Sequence, residues 1–288
     1  MSRAIKKIVV TGASDGIGRV TALRLAQAGN HVTIVGRSAE KTKKVADEIT
    51  ASIPAGTQGS LDWLVADLSR PAEVRRLADE WLARHDHLDV LVNNAGAMFE
   101  KNEVTPDGFE KTFALNHLNY FLLTDLLMPA MRKAPAARIV NVASEAHRAC
   151  DLDFDALEQR HSGKYNAWRA YQRSKLANIL FTRELARRLE ETGITANCLH
   201  PGLVATRFGH NNQGFWGIGM KLAQHLFAID EEAGASTSIF LSLDPSVTGK
   251  TGGYYIRCKL RNPSSAARNE ESAKRLWTVS ETLLGPFR

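Results

Sequence analysis

Cysteine is scarce in this chain. Its 288 residues include three, Cys150, Cys198 and Cys258, far apart and with no pair at metal-ligand spacing. An odd number of dispersed thiols argues against a disulfide framework and against a cysteine-built metal site, and fits a reducing compartment. Long apolar runs are missing as well. Met1-Ser2-Arg3-Ala4-Ile5-Lys6-Lys7 passes straight into a strand pattern, with no signal-peptide apolar region and no stretch long enough to span a bilayer. A cytoplasmic location without a transmembrane segment is therefore expected. Repeats, linkers and low-complexity segments are absent too, so the whole chain, residues 1–288, is expected to form one domain. Charge is not blocked: 37 Lys and Arg against 31 Asp and Glu give a net +6, spread along the chain. That gives little support to a nucleic-acid footprint, although the balance suits an anionic small ligand.

What is present is ordinary globular material, 44% hydrophobic, enough for a sizeable core. Ile8-Val9-Val10 reads as a buried strand. Thr11-Gly12-Ala13-Ser14-Asp15-Gly16-Ile17-Gly18 follows, then a helical pattern through Leu23, Leu25 and Ala28, then a second strand at His31–Val35. Strand, glycine loop, helix, strand within about thirty residues is the context a dinucleotide fingerprint needs. Glycines allow a tight turn and close backbone approach, and a helix N-terminus turns free N–H groups toward a pyrophosphate. The spacing here is Gly-x-x-x-Gly-x-Gly. An acid at the end of the second strand would hold a ribose 2′-hydroxyl and repel a 2′-phosphate. This chain has Gly36-Arg37-Ser38 there, so Arg37, with Ser38 as a second donor, predicts NADP(H) in preference to NAD(H). Arg37 could also be a plain loop charge.

Further strands are predicted at Leu61–Ala66, Leu88–Val92, Arg138–Ala143, Thr195–Leu199 and Gly252–Ile256. Helices are predicted over 41–49, 71–84, 108–131, through Leu189 from Ala170, 231–243 and 264–284. This alternation predicts an α/β fold: a doubly wound parallel sheet of about seven strands with helices on both faces. Asp67 and Asn93 close strands at the edge where such sheets bind ligands, although Asx residues there also serve as turn formers. Asn116 interrupts a helix, where Asn is a poor former. Tyr171 and Lys175 lie four apart on a helix and so share one face. An ammonium beside a phenol favours the phenolate, which makes Tyr-x-x-x-Lys a candidate acid–base device. Residues 207–228 mix glycine with large apolar residues, which suits a mobile flap over an apolar pocket, ordinary core, or a membrane-touching patch.

Over nearly its whole length the chain resembles the short-chain dehydrogenase/reductase family. The resemblance rests on Thr11-Gly12-x-x-x-Gly16-x-Gly18, Asp67-Leu68, Asn93-Asn94-Ala95-Gly96, Asn116, Ser144, Tyr171-x-x-x-Lys175 and Pro201-Gly202-Leu203-Val204-Ala205-Thr206. Asn141–His147, the long link from Ser144 to Tyr171, His200-Pro201-Gly202 and the tail around Pro263–Ala266 are similar to the retinol dehydrogenase-like branch, which includes the catalytic part of the WW-domain oxidoreductase. Membrane-bound members carry an apolar N-terminal anchor that the sequence does not show.

The resemblance implies a Rossmann-type fold and hydride transfer between a nicotinamide and a hydrophobic ketone, aldehyde or alcohol. Tyr171 is implied as acid or base, Lys175 as the cation that lowers its pKa and binds ribose hydroxyls, Ser144 as the donor to the substrate oxygen, and Asn116 as the holder of a relay water. Cofactor contacts are implied for Gly12, Ser14, Gly16, Ile17 and Gly18 (pyrophosphate), Asp67 and Leu68 (adenine), Asn93, Ala95 and Gly96 (the adenosine-side sugar region), and Pro201, Gly202, Val204 and Thr206 (nicotinamide). No metal is expected. A homodimer or homotetramer pairing through the helices of Asn116 and Tyr171 is the family-based expectation, a monomer the alternative. A dinucleotide-binding sensor or scaffold with little turnover, and an epimerase or dehydratase, are the competing functional classes.

Overall fold

The computed structural model describes residues 5–158, 165–202 and 230–288. Its first half alternates β1 (Lys7–Thr11), α1 (Gly16–Gln27), β2 (His31–Gly36), α2 (Ala39–Ala51), β3 (Ser60–Val65), α3 (Pro71–Leu82) and β4 (Val90–Asn93). Polar residues cap these helices where the sequence places them. Asp15 accepts from the Gly16 amide and Ser38 from the Lys41 amide, and Pro71 opens α3, where its missing N–H costs nothing. The second half continues with α4 (Lys111–Phe113), a π turn over Ala114–Leu118, α5 (Asn119–Met131), β5 (Arg138–Val142), a 3-10 turn over Glu145–Ala149, α6 (Phe154–Glu158) and α7 (Ala167–Arg188). Then come β6 (Thr195–His200), α8 (Glu231–Leu243), β7 (Tyr254–Ile256), β8 (Lys259–Arg261) and α9 (Glu270–Leu284).

The strands form one sheet in the order β3-β2-β1-β4-β5-β6-β7-β8. β1 to β7 are parallel and β8 runs antiparallel to β7. Side-chain alternation sorts each strand between two cores. Ile8, Val10, Val32, Ile34, Val90, Val92, Val140 and Leu199 face one layer. Val9, Val35, Leu91, Ile139 and Cys198 face the layer that also holds α5, α7 and α9 residues. Strand order reverses between β1 and β4, so their C-terminal ends splay apart and leave a crevice.

The sheet is close to the expected seven strands, with two local differences and one segment left open. The eighth strand, Lys259–Arg261, is exposed throughout and has no apolar run to announce it. The helix predicted over 108–131 begins at Lys111 and widens into the π turn around Asn116. The segment 207–228, read as a flap, lies outside the described residues.

Candidate active site

The crevice is a cavity of about 450 Å³ that runs from the glycine loop to Tyr171. Gly12, Ser14, Gly16, Ile17 and Gly18 form one end. Gly12 has a φ of +65°, a conformation that side chains other than glycine adopt only with strain. At Gly18 a β-carbon would lie 2.4 Å from the Gly12 carbonyl oxygen, so the helix start and the preceding turn can approach only with glycine there. Thr11 ties this loop to the next: its hydroxyl oxygen accepts from the amides of Asn94 (2.9 Å) and Ala95 (3.1 Å). Asn94 returns the bond, its side-chain amide donating to Thr11 O (2.9 Å).

Arg37, Asp67, Leu68, Ala95 and Gly96 line the middle of the cavity. Arg37 is exposed. Asp67 Oδ1 accepts from the amide and hydroxyl of Ser69 (3.0 and 2.7 Å), so it is a turn former as well as part of the wall. Two expected ligands are placed elsewhere. Ser38 is absent from the lining and its hydroxyl caps α2. Asn93 is fully buried beneath the sheet edge, its amide donating to Thr124 Oγ1 (3.1 Å) and Asn141 Oδ1 (2.9 Å). The position that reaches the crevice is Asn94, because adjacent strand residues point to opposite faces. Val204 and Thr206 lie outside the described residues.

Ser144, Tyr171, Lys175, Pro201 and Gly202 form the far end. Asn166 caps α7 by accepting from the Arg169 amide (2.9 Å), which sets the helix start five residues before Tyr171. Lys175 is buried and donates to Val142 O (2.9 Å). Its Nζ lies 5.7 Å from the centre of the Tyr171 ring. Burial pushes the Tyr171 phenol up to about 12, with a hydrogen bond from Ser144 pulling the other way. Burial likewise pushes the Lys175 ammonium down to about 7. Desolvation is the largest influence on both groups.

Asn116 joins this end of the site through its side chain. Its side chain is committed at both ends: Oδ1 accepts from Ala97 N, while Nδ2 donates to Ala97 O and to Ser174 Oγ, each at 2.9 Å. It thus clamps the 94–97 loop to α7, since Ser174 donates in turn to Tyr171 O (2.7 Å). The amide nitrogen has no N–H left to offer a relay water.

Several further residues complete the wall. Met98, Phe99, Leu115 and Trp168 supply apolar surface beside Ser144 and Tyr171. Trp168 is 37% exposed and its ring lies near-parallel to that of Tyr171, centres 5.8 Å apart. The one signal for it was an aromatic residue three positions before Tyr171 on a helix. Lys111 also lines the cavity, but its charge is paired with Glu103 (2.6 Å). His200, which precedes Pro201, is a wall residue as well. Among the described residues no group of three or more metal-type ligands comes together.

The family model described as short chain dehydrogenase matches residues 6–153 and 159–215. The chain belongs to the short-chain dehydrogenase family. It is 42% identical to human (Homo sapiens) retinol dehydrogenase 11 and 39% identical to mouse (Mus musculus) retinol dehydrogenase 14, in each case over 97% of this chain and 86% of the relative. These similarities place it in the retinol dehydrogenase-like branch and make it an oxidoreductase acting on CH–OH or carbonyl groups. Among solved structures, an uncharacterized protein from Mycobacterium Paratuberculosis superposes with a TM-score of 0.76 at 30% identity, covering 98% of this chain and 94% of that one. The Pseudomonas aeruginosa RhlG/NADP active-site complex superposes with a TM-score of 0.67 at 29% identity, covering 88% and 94%. The family match supports a nicotinamide cofactor.

Proposed function

We propose that the protein is an NADP(H)-dependent oxidoreductase that interconverts a hydrophobic ketone or aldehyde and its alcohol, working in the cytoplasm. The observation that carries this reading is a single cavity with the glycine loop at one end, Tyr171 and Ser144 at the other and an apolar wall beside them. The residues fit the cofactor. The Gly12–Gly18 approach leaves room for a pyrophosphate against the N-terminus of α1, and Arg37 supplies a cation where a 2′-phosphate would lie. The NADP bound in the RhlG complex supports the same choice. When bound, the nicotinamide supplies or accepts the hydride.

The chain's own residues supply position and charge. Tyr171, held protonated by burial, gives its phenolic proton to the carbonyl oxygen in reduction and takes it back in oxidation. Ser144 donates a hydrogen bond to the same oxygen as negative charge grows on it. A polyanion in the cavity favours the charged form of Lys175, because an opposite charge offsets the desolvation that lowers its pKa. The ammonium then favours the phenolate left after proton donation. Met98, Phe99, Leu115 and Trp168 favour an apolar substrate and exclude water. The names of the retinol dehydrogenase relatives point to substrates of that apolar kind.

The test is consumption of NADPH with a panel of aryl ketones and aldehydes, followed at the reduced-nicotinamide absorbance band. Tyr171→Phe is expected to abolish turnover and leave NADPH binding intact. Normal turnover in that variant would remove Tyr171 from the chemistry. Measurable NADPH binding without turnover on any carbonyl by the parent protein would favour a sensor or scaffold instead.

A further inference from the structure

The peptide unit that follows Ser144 is held at both ends by imidazoles. Its carbonyl oxygen, Ser144 O, lies 2.6 Å from His147 Nδ1. Its N–H, that of Glu145, donates to His200 Nδ1 at 3.3 Å. The tautomers follow from the partners. His147 must carry its proton on Nδ1 to meet a carbonyl, and its Nε2 accepts from Ser264 N (3.1 Å). His200 must leave Nδ1 bare to accept an amide. Each ring therefore has to be neutral, and each is specified by a polar group of one peptide plane.

The surroundings keep both rings in that form. His147 is fully buried and stands edge-on to Tyr254, ring centres 5.2 Å apart. Burial lowers its pKa and takes that of His200 to about 4. The charged groups facing the two rings are Glu145, Arg148 and Arg257. Glu145 is itself tied down, accepting from Tyr254 Oη (2.7 Å) and Arg148 Nε (2.8 Å), and Arg148 donates on to Asn262 O (2.9 Å). The turn after β5 is thereby moored to β6, β7 and the segment 262–264. Ser144 Oγ projects from the residue whose following peptide is fixed this way, and it is the group that bonds the Tyr171 phenol.

We propose that His147 and His200 are positioning residues, a pair of neutral imidazoles that orient the Ser144–Glu145 peptide and so aim Ser144 Oγ at Tyr171 and the substrate oxygen. This rests on the roles given above to Ser144 and Tyr171. Misplacing a reacting group by about 1 Å can cost on the order of a hundredfold in rate, so the arrangement has leverage without touching the reacting atoms.

The experiment compares His200→Val, which removes the acceptor, with His200→Asn, whose Oδ1 can take the place of Nδ1. Ser144→Ala is the reference, and each variant is checked for its melting temperature and NADPH binding. His200→Val is expected to lower kcat roughly ten- to a hundredfold with the NADPH KM nearly unchanged. It is also expected to move the Tyr171 limb of the pH–rate profile to higher pH, because the Ser144 bond that lowers the phenol pKa is lost. His200→Asn should restore most of kcat and the position of the limb. His147→Asn, which keeps a donor for Ser144 O, should likewise exceed His147→Leu.

Three results would overturn the proposal: normal kcat in His200→Val, an unmoved Tyr171 limb, or equal losses in the Val and Asn variants of a folded protein. If Ser144→Ala itself turns over normally, the underlying active-site assignment fails. If only the His200 arm is silent, the positioning role alone fails.

Discussion

Arg37 is where one residue decides between two cofactors. It directly follows β2 on the exposed rim of the cavity, and it is the cation nearest in sequence to where NAD-binding relatives of this fold place an acid. Its intended helper, Ser38, is occupied as a helix cap, so discrimination falls on the guanidinium. Arg37→Asp should repel a 2′-phosphate and accept a 2′-hydroxyl. The NADPH/NADH ratio of kcat/KM should then shift toward NADH by about a hundredfold, as a charge-assisted hydrogen bond gives way to a repulsion. The measurement is kcat/KM for each cofactor at saturating carbonyl substrate. An unchanged ratio would mean that the 2′ position is recognised elsewhere. The place of Arg37 on the cavity rim was legible in the sequence because a strand end and a charge suffice to set it. That the side chain of Asn94 rather than Asn93 lines the crevice was not legible, since it depends on the strand's face, and a four-residue strand buried on both faces has no polar alternation to reveal it.

At the scale of elements, the π turn over Ala114–Leu118 has the clearest consequence. A wide turn inside a helix marks an inserted residue and recurs at functional sites. Here it delivers Asn116 inward, fully buried, to both polar groups of Ala97 and to Ser174. Asn116→Ala would strand the Ala97 amide and carbonyl, and a buried unsatisfied group costs about 1–3 kcal/mol. We expect a fall in melting temperature of roughly 5–10 °C, at about 2–4 °C per kcal/mol for a chain of this size. A large loss of kcat should accompany it, because the loop beside Lys175 loses its clamp. A melting curve matching the parent's would show that the bonds do not hold the loop. The sequence disclosed the anomaly, an Asn within a helical stretch, but not its cause. A π turn carries no composition of its own, and a committed amide looks the same in sequence as one free to hold a water. The glycine loop, by contrast, was fully legible, because Gly12 and Gly18 are demanded by close backbone approaches and Gly16 by its positive φ. The three exposed residues of β8 were unreadable for the opposite reason, since burial imposes no pattern on them.

For the whole molecule, the decisive feature is where α9 goes. Family resemblance led to pairing through the helices of Asn116 and Tyr171. In the structure α9 packs against those helices itself. Trp277 lies over Phe121 and Phe181, ring centres 4.8 and 5.9 Å away, and the guanidinium of Arg188 sits 4.2 Å from the Trp277 ring centre. Leu276, Val279, Leu283 and Leu284 are buried in the same layer as Leu180 and Leu185. Ser280 Oγ meets His117 Nε2 at 2.9 Å inside it, and the C-terminal Arg288 grips Asp125 at 2.9 and 3.1 Å. A second copy docking over Phe121 and Phe181 would have to displace Trp277, and one docking at His117 would break its bond to Ser280. A tail that buries this much aromatic surface is more stable in place than exchanged for an interface of ordinary polarity. With α9 in place, the protein should not pair through α5 and α7 at micromolar concentration. Trp277→Ala should loosen α9, lower the melting temperature and promote self-association through the uncovered Phe121 and Phe181, since an exposed apolar patch of that size seeks a partner. Sedimentation velocity on both proteins decides the matter: a stable dimer of the parent that protects Phe121 and Phe181 would show that the tail yields to a second copy.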